Sequence, residues 1–166
     1  MRLLLSFLFI VIISVEVAAQ GKPITQEQQR LDVFVGQWTV KGSEDSYLEI
    51  CNRIQGHHIQ CISASKEKTG VDSSVSYISY SPLEKTYFYY GLYTSGNSRT
   101  LRGKWETDRF VFEGQRELPE KTTKWRVTIT PVERNLHFVE EASVNNGAWE
   151  KKADFTYKRL EEPAKR

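Results

Sequence analysis

What most constrains this chain of 166 residues is its punctuation: from residue 38 onward, short runs of alternating side chains are separated by turn residues, and no long helical period intervenes. Leu101, Gly103 and Trp105 share one face of such a run while Arg102 and Lys104 take the other; Phe110 and Phe112 repeat the pattern, as do Trp125, Val127 and Ile129. Gly42-Ser43-Glu44-Asp45, Ser81-Pro82-Leu83-Glu84-Lys85, Thr94-Ser95-Gly96-Asn97, Thr107-Asp108 and Asn145-Asn146-Gly147 read as turns. Polar loops are expected at 66–73 and, as the longest, at 115–121 around Pro119, and Pro131 is expected to end its strand. About ten short strands joined by turns exclude parallel α/β folds, whose crossovers need a dozen or more residues. A meander of this size must protect its two edges, and closing on itself removes them. The expected fold is all-β: an antiparallel up-and-down barrel of about ten strands with a short N-terminal helix.

The helix is read from Thr25-Gln26-Glu27-Gln28, which has capping-box spacing, followed by Leu31, Phe34 and Val35 at i, i+3 and i+4. Gly36 stands where a helix end often needs a left-handed residue, and Trp38 opens the first extended run. A short helix, Gly36-Gln37-Trp38 on the first strand and an all-β remainder with a basic residue on the last strand resemble the calycin group: lipocalins, fatty-acid-binding proteins and nitrobindin-like barrels. Tyr77-Ile78-Ser79-Tyr80-Ser81-Pro82-Leu83-Glu84-Lys85-Thr86-Tyr87, Gly103-Lys104-Trp105-Glu106 and Phe110-Val111-Phe112 are similar to an uncharacterised bacterial family of lipocalin-like barrels. The resemblance implies a calycin-like barrel in which a cation from the last strand stacks on the Gly-x-Trp indole and shuts one mouth. By the parity of Phe155, Tyr157 and Arg159, that cation is Arg159, with Lys158 as the substitute.

Leu3 to Val15 is apolar but shorter than the roughly 18 to 20 residues of a spanning helix, and Val17-Ala18-Ala19 suits cleavage. The expected organisation is a signal peptide at 1–19, a barrel domain at 20–160 and a charged tail at 161–166, with a secreted or periplasmic location and no lipid-anchor cysteine near the cleavage point. Integral membrane association is not expected. A net charge of +2 without a dense basic stripe argues against nucleic acid. In an oxidising compartment Cys51 and Cys61 are expected to pair. With Gly56 centring a tight hairpin, Cys51 faces Cys61, Asn52 faces Gln60, Ile50 faces Ile62 and Ile54 faces His58.

Placing the disulfide on the outer wall sends Asn52, His58 and Gln60 inward as a polar trio among Leu48, Ile50, Ile54 and Ile62, the kind of wall that orients a bound molecule. Tyr87, Tyr89, Trp105, Phe112 and Trp125 are candidates to line the same space. His57 and His58 are adjacent in a strand and point to opposite faces, so they do not share a metal ion. His137 in the penultimate strand lies near where nitrobindin-like haem barrels place an iron ligand, but Val40 stands at one glycine of that pattern. No catalytic motif is present, and Glu140 and Glu141 lie on opposite faces. The expected function is a secreted, non-enzymatic lipocalin-like binder of a small hydrophobic or amphipathic ligand, with no resident cofactor. The alternatives are a haem-binding or catalytic barrel using His58 or His137, and a filled barrel that meets a protein or glycan through an outer aromatic strand.

Overall fold

A computed structural model describes residues 23–67 and 70–161; the expected leader and residues 162–166 of the expected tail lie outside the described residues. Thr25 starts helix α1 (Gln26–Gln29). Its Oγ1 accepts the Gln28 amide at 3.2 Å, and the Gln28 side chain accepts the Thr25 amide at 2.9 Å. This reciprocal pair satisfies two donors that a helix start leaves open. The chain then tightens into a 3-10 helix (Arg30–Phe34) that buries Leu31 and Phe34. Val35, expected on the same stripe, is already extended and packs on the core from the exit of the helix.

Ten strands follow: β1 (Gly36–Val40), β2 (Tyr47–Ile54), β3 (His58–Glu67), β4 (Gly70–Ser81), β5 (Thr86–Tyr93), β6 (Ser98–Glu106), β7 (Arg109–Leu118), β8 (Lys121–Val132), β9 (Asn135–Val144) and β10 (Glu150–Arg159). Each pairs antiparallel with its neighbours in sequence, and β1 also pairs with β10, so the sheet is a closed up-and-down barrel. Closure leaves no strand edge to be paired by another chain. Among the described residues no helix is long and apolar enough to cross a membrane.

Several turns have the backbone their residues favour. Asn145 and Asn146 both adopt positive φ, 50° and 59°, and the Gly147 amide donates to Val144 O at 2.9 Å, closing a tight turn of the kind that matches strand twist. The β2–β3 hairpin turns through Gln55 and Gly56 at φ 48° and 72°. Its ladder pairs Cys51 with Cys61, Asn52 with Gln60 and Ile54 with His58, and the two cysteines form a disulfide.

The expected loop at 115–121 is instead the paired ends of β7 and β8, with Leu118 opposite Lys121 and only Pro119 and Glu120 in the turn. These strands project beyond the core, so both faces of the ladder reach water and polar side chains remain compatible with pairing. Much of 66–73 is strand for the same reason, Glu67 standing opposite Gly70. Nor does Pro131 end its strand: β8 continues to Val132, and a proline so near the strand's end removes a ladder donor where little pairing remains.

The helical segment covers one mouth. Trp38, 1% exposed, donates from Nε1 to Phe34 O at 2.8 Å. The Arg159 guanidinium lies 4.3 Å from the centre of the Trp38 ring and donates to Val35 O at 2.7 Å and Val33 O at 3.2 Å. Gly36 does not end the helix in the left-handed manner expected; it begins β1 at φ 143°, and a Cβ there would lie 2.7 Å from Arg159 Nη1. Arg53 donates to Gln28 O at 3.1 Å, and the Tyr87 hydroxyl to Glu27 O at 3.0 Å. Behind this plug, Leu31, Phe34, Ile59, Ile78, Phe110, Phe112 and Ile129 fill the interior.

Candidate cavity in the open half of the barrel

The orientation of every strand follows from Trp38. It points inward, and Glu49 stands opposite it in the β1–β2 ladder, so Tyr47, Glu49 and Cys51 face the interior together. Across β3 the inward residues are Ile59, Cys61 and Ser63, at 0%, 3% and 8% exposure. The disulfide is therefore an inner-wall feature, and the expected orientation of Asn52, His58 and Gln60 is corrected: this trio lies on the outer face, along with Leu48, Ile50 and Ile62. Gln60 Nε2 donates to the Tyr77 hydroxyl there at 2.9 Å. The register was legible, but the face was not, because the apolar parity of β2 is the one turned out. Ile50, Ile62, Val75 and Leu92 are successive ladder partners and form an apolar stripe on the outside of the barrel.

Away from the plug the interior is not filled. A cavity of about 300 Å³ occupies the half of the barrel away from the helical segment, walled by Tyr47, Glu49, Ser63, Tyr89, Phe138, Phe155 and Tyr157 among others. A hollow of about 50 Å³ continues beneath it toward Phe34 and Trp38. Glu49 borders both spaces and so stands at the floor of the larger one.

Polar side chains make up most of the lining of this cavity, and those at its floor and rim are organised. The Tyr47 hydroxyl donates to Glu49 Oε2 at 3.1 Å and lies 3.4 Å from the Tyr157 hydroxyl. Burial pushes the Glu49 carboxyl above its ordinary value, and the two phenols oppose that shift only in part. Burial first, and then the Glu49 charge, raise both Tyr47 and Tyr157, so each remains a neutral hydroxyl. Burial likewise raises Tyr89. Nearer the rim Arg99 donates to both oxygens of Glu140, at 2.7 and 3.1 Å, and lies 5.5 Å from the centre of the Trp125 ring. Burial works against the Arg99 charge, but Glu140 outweighs it and holds the guanidinium protonated.

Of the aromatic candidates, Tyr89 faces the cavity. Tyr87, Trp105 and Phe112 do not border it. Tyr87 and Trp105 pack edge-on against Phe110 at 5.1 and 4.7 Å in the closed half, and Phe112 is 1% exposed in the core. Trp125 stands at the rim between Arg99 and Arg116. On the outer wall Phe88 is covered by Tyr90, stacked at 5.9 Å, and by Arg102.

The histidines lie outside the cavity. His137 Nε2 is 2.8 Å from Asp154 Oδ1 on the outer wall. His57 and His58 approach edge-on at 6.4 Å beside the hairpin turn. Glu49, Cys51 and Cys61 place ligand-type atoms within 4.8 Å of one another, but the disulfide leaves the sulfurs without thiolates to offer a metal.

No family model matches this chain, and no curated protein matches it. The site therefore rests on geometry. A larger concavity, about 780 Å³, lies on the outer wall of β6 to β8 and is open to water. Charged side chains line it and pair with one another, as in Lys104 with Glu106 and Arg126 with Glu113.

Among the cavity residues that sequence reasoning did not reach are Tyr47, Glu49, Arg99, Glu140, Phe155 and Tyr157. Two signals point to most of them. The inward parity of Arg159 carries Phe155 and Tyr157 inward with it. Cysteine is among the most buried residue types, and turning the pair inward brings Glu49 and Tyr47 with it.

Proposed function

We propose that the protein is a non-enzymatic, lipocalin-like carrier that holds one small amphipathic molecule in the open half of its barrel, and that it works outside the cytosol. The observation that carries this reading is the cavity of about 300 Å³, which sets the rings of Tyr89, Phe138, Phe155 and Tyr157 beside polar side chains held by hydrogen bonds to one another. The plugged mouth supports it too. With Trp38 and Arg159 locking one end, access is from the side where the cavity opens. Kinship with calycin barrels is supported by the same stacked pair, and an oxidising compartment by the disulfide. The carboxyl on the floor is flanked by phenols, not by a nucleophile and base, which favours holding a ligand over transforming it.

Fluorescence titration with N-phenyl-1-naphthylamine tests the reading. Saturable enhancement at one site per chain is expected, and it should be abolished by Ala153→Phe, which places a ring in the cavity wall. No enhancement with the wild-type chain, or enhancement indifferent to Ala153→Phe, would overturn the carrier reading.

A further inference from the structure

The charges of the cavity identify the class of molecule it takes. Among the described residues its wall carries three carboxyls, Glu49, Asp72 and Glu140, and a single cationic side chain, Arg99. Arg99 is committed to Glu140 through two hydrogen bonds and rests on Trp125. Asp72 is exposed at the rim, where it accepts from the Thr94 hydroxyl. Glu49 at the floor is left with no cationic partner among the described residues, its neighbours being the hydroxyls of Tyr47 and Tyr157. A carboxylate half-buried among aromatic rings is costly to keep ionised unless a positive charge joins it.

The surroundings suit such a charge. The Tyr47 and Tyr157 rings lie 6.0 Å apart, Phe155 is 5.0 Å from Tyr157, and Phe138 is 4.8 Å from Phe155, so aromatic faces bound the space around the carboxyl. Aromatic faces attract a cation, the more so where water is excluded. An anionic ligand would meet Glu49 and find no free cation among the described residues of the wall. A neutral one would fill the space and leave the carboxyl to be kept protonated.

Resting on the carrier reading above, we infer that the occupant is an organic amine with a compact apolar body, its ammonium group seated against Glu49 within the ring of Tyr47, Tyr157 and Phe138. The Tyr47 phenol donates to the carboxylate and holds it oriented, and the ligand's N–H groups donate to the remaining carboxylate lone pairs. The Arg99–Glu140 pair at the rim is neutral as a unit and lets a cation pass to the floor.

Isothermal titration calorimetry of the disulfide-bonded chain with 2-phenylethylamine, 2-phenylethanol and 3-phenylpropanoate separates the possibilities, since the three share a ring and differ in charge. The amine is expected to bind about tenfold or more tightly than the alcohol, with the propanoate weakest, and Glu49→Gln should erase the difference between amine and alcohol. A second readout needs no variant. The groups facing Glu49 are Tyr47 on β2, Tyr89 on β5 and Tyr157 on β10, all held neutral, with the Arg99–Glu140 pair beyond them. Amine binding in mildly acidic solution should therefore release a proton from Glu49, measurable in buffers of different ionisation enthalpy, and alcohol binding should release none. Equal affinity for amine and alcohol, a preference for the propanoate, or an amine preference that survives Glu49→Gln would overturn the charge assignment and leave the carrier reading intact. Failure of all three compounds to bind, together with the naphthylamine probe, would overturn both.

Discussion

At the scale of single residues, two positions decide whether the barrel closes and one decides what its interior tolerates. Gly36 combines a positive φ with direct approach to the Arg159 guanidinium. Gly36→Ala is expected to lower stability by about 1–3 kcal/mol, and Arg159→Ala by about 2–4 kcal/mol, through loss of the indole contact and of two charge-assisted hydrogen bonds. Because both act on one contact, the double variant in urea denaturation should lose less than the two separate losses combined, by about 0.5 kcal/mol or more. Additive losses would show that the contact is not shared. Glu49 is the third position. Its folded value is raised above the ordinary 4.5, so above that pH the unfolded chain gives up this proton more readily than the folded one. The contribution of Glu49 to stability is thus fully present below 4.5 and is lost as pH rises through the folded value. Wild type minus Glu49→Gln, followed by thermal melts across this range, isolates that slope from the exposed acids; stability of the wild type relative to the variant should fall with rising pH, and a flat difference would place the carboxyl in water.

Among the elements, the β2–β3 hairpin is the most informative, because its two aspects were unequally legible. Gly56 and the cysteine spacing fixed which residues pair, and the ladder has that register. Which side faces in depends on the rest of the barrel: Leu48, Ile50 and Ile62 are apolar yet exposed at 41%, 37% and 53%, while a glutamate of the opposite parity lies half-buried on the cavity floor. Alternation reports amphipathicity only when one face is wholly apolar, and a cavity that carries polar groups breaks that condition. Replacing both cysteines by alanine is expected to lower stability by about 2–3 kcal/mol, in line with opening a small covalent loop, whereas Asn52→Ala on the outer face should change it by less than about 0.5 kcal/mol. Denaturant midpoints of the two variants check this, and comparable losses would contradict the inward placement of the disulfide. The polar strand ends at 115–121 were missed for a related reason: beyond the core, pairing continues without any apolar signal to mark it.

For the whole molecule, the meander, the plug and the number of strands were readable from turn residues and Gly36-Gln37-Trp38, since closure is the general solution to unpaired edges. The candidate site was readable only in part. Tyr89 was anticipated, but Glu49, Tyr47 and Tyr157 come together from β2 and β10, which are distant in sequence and meet across the short β1 and the interior of the closed barrel. The division of the interior into a packed half and a hollow half is likewise a property of the assembled barrel, not of any strand. The proposed ligand lies inside, on that floor, and not against the apolar stripe outside. Heteronuclear NMR of the labelled chain titrated with 2-phenylethylamine tests this most directly. Chemical-shift changes concentrated at Tyr47, Glu49, Tyr89 and Tyr157, with Asn52, His58, Gln60 and Ile62 unmoved, are the predicted result; changes confined to the outer four, or none at the inner four, would contradict it.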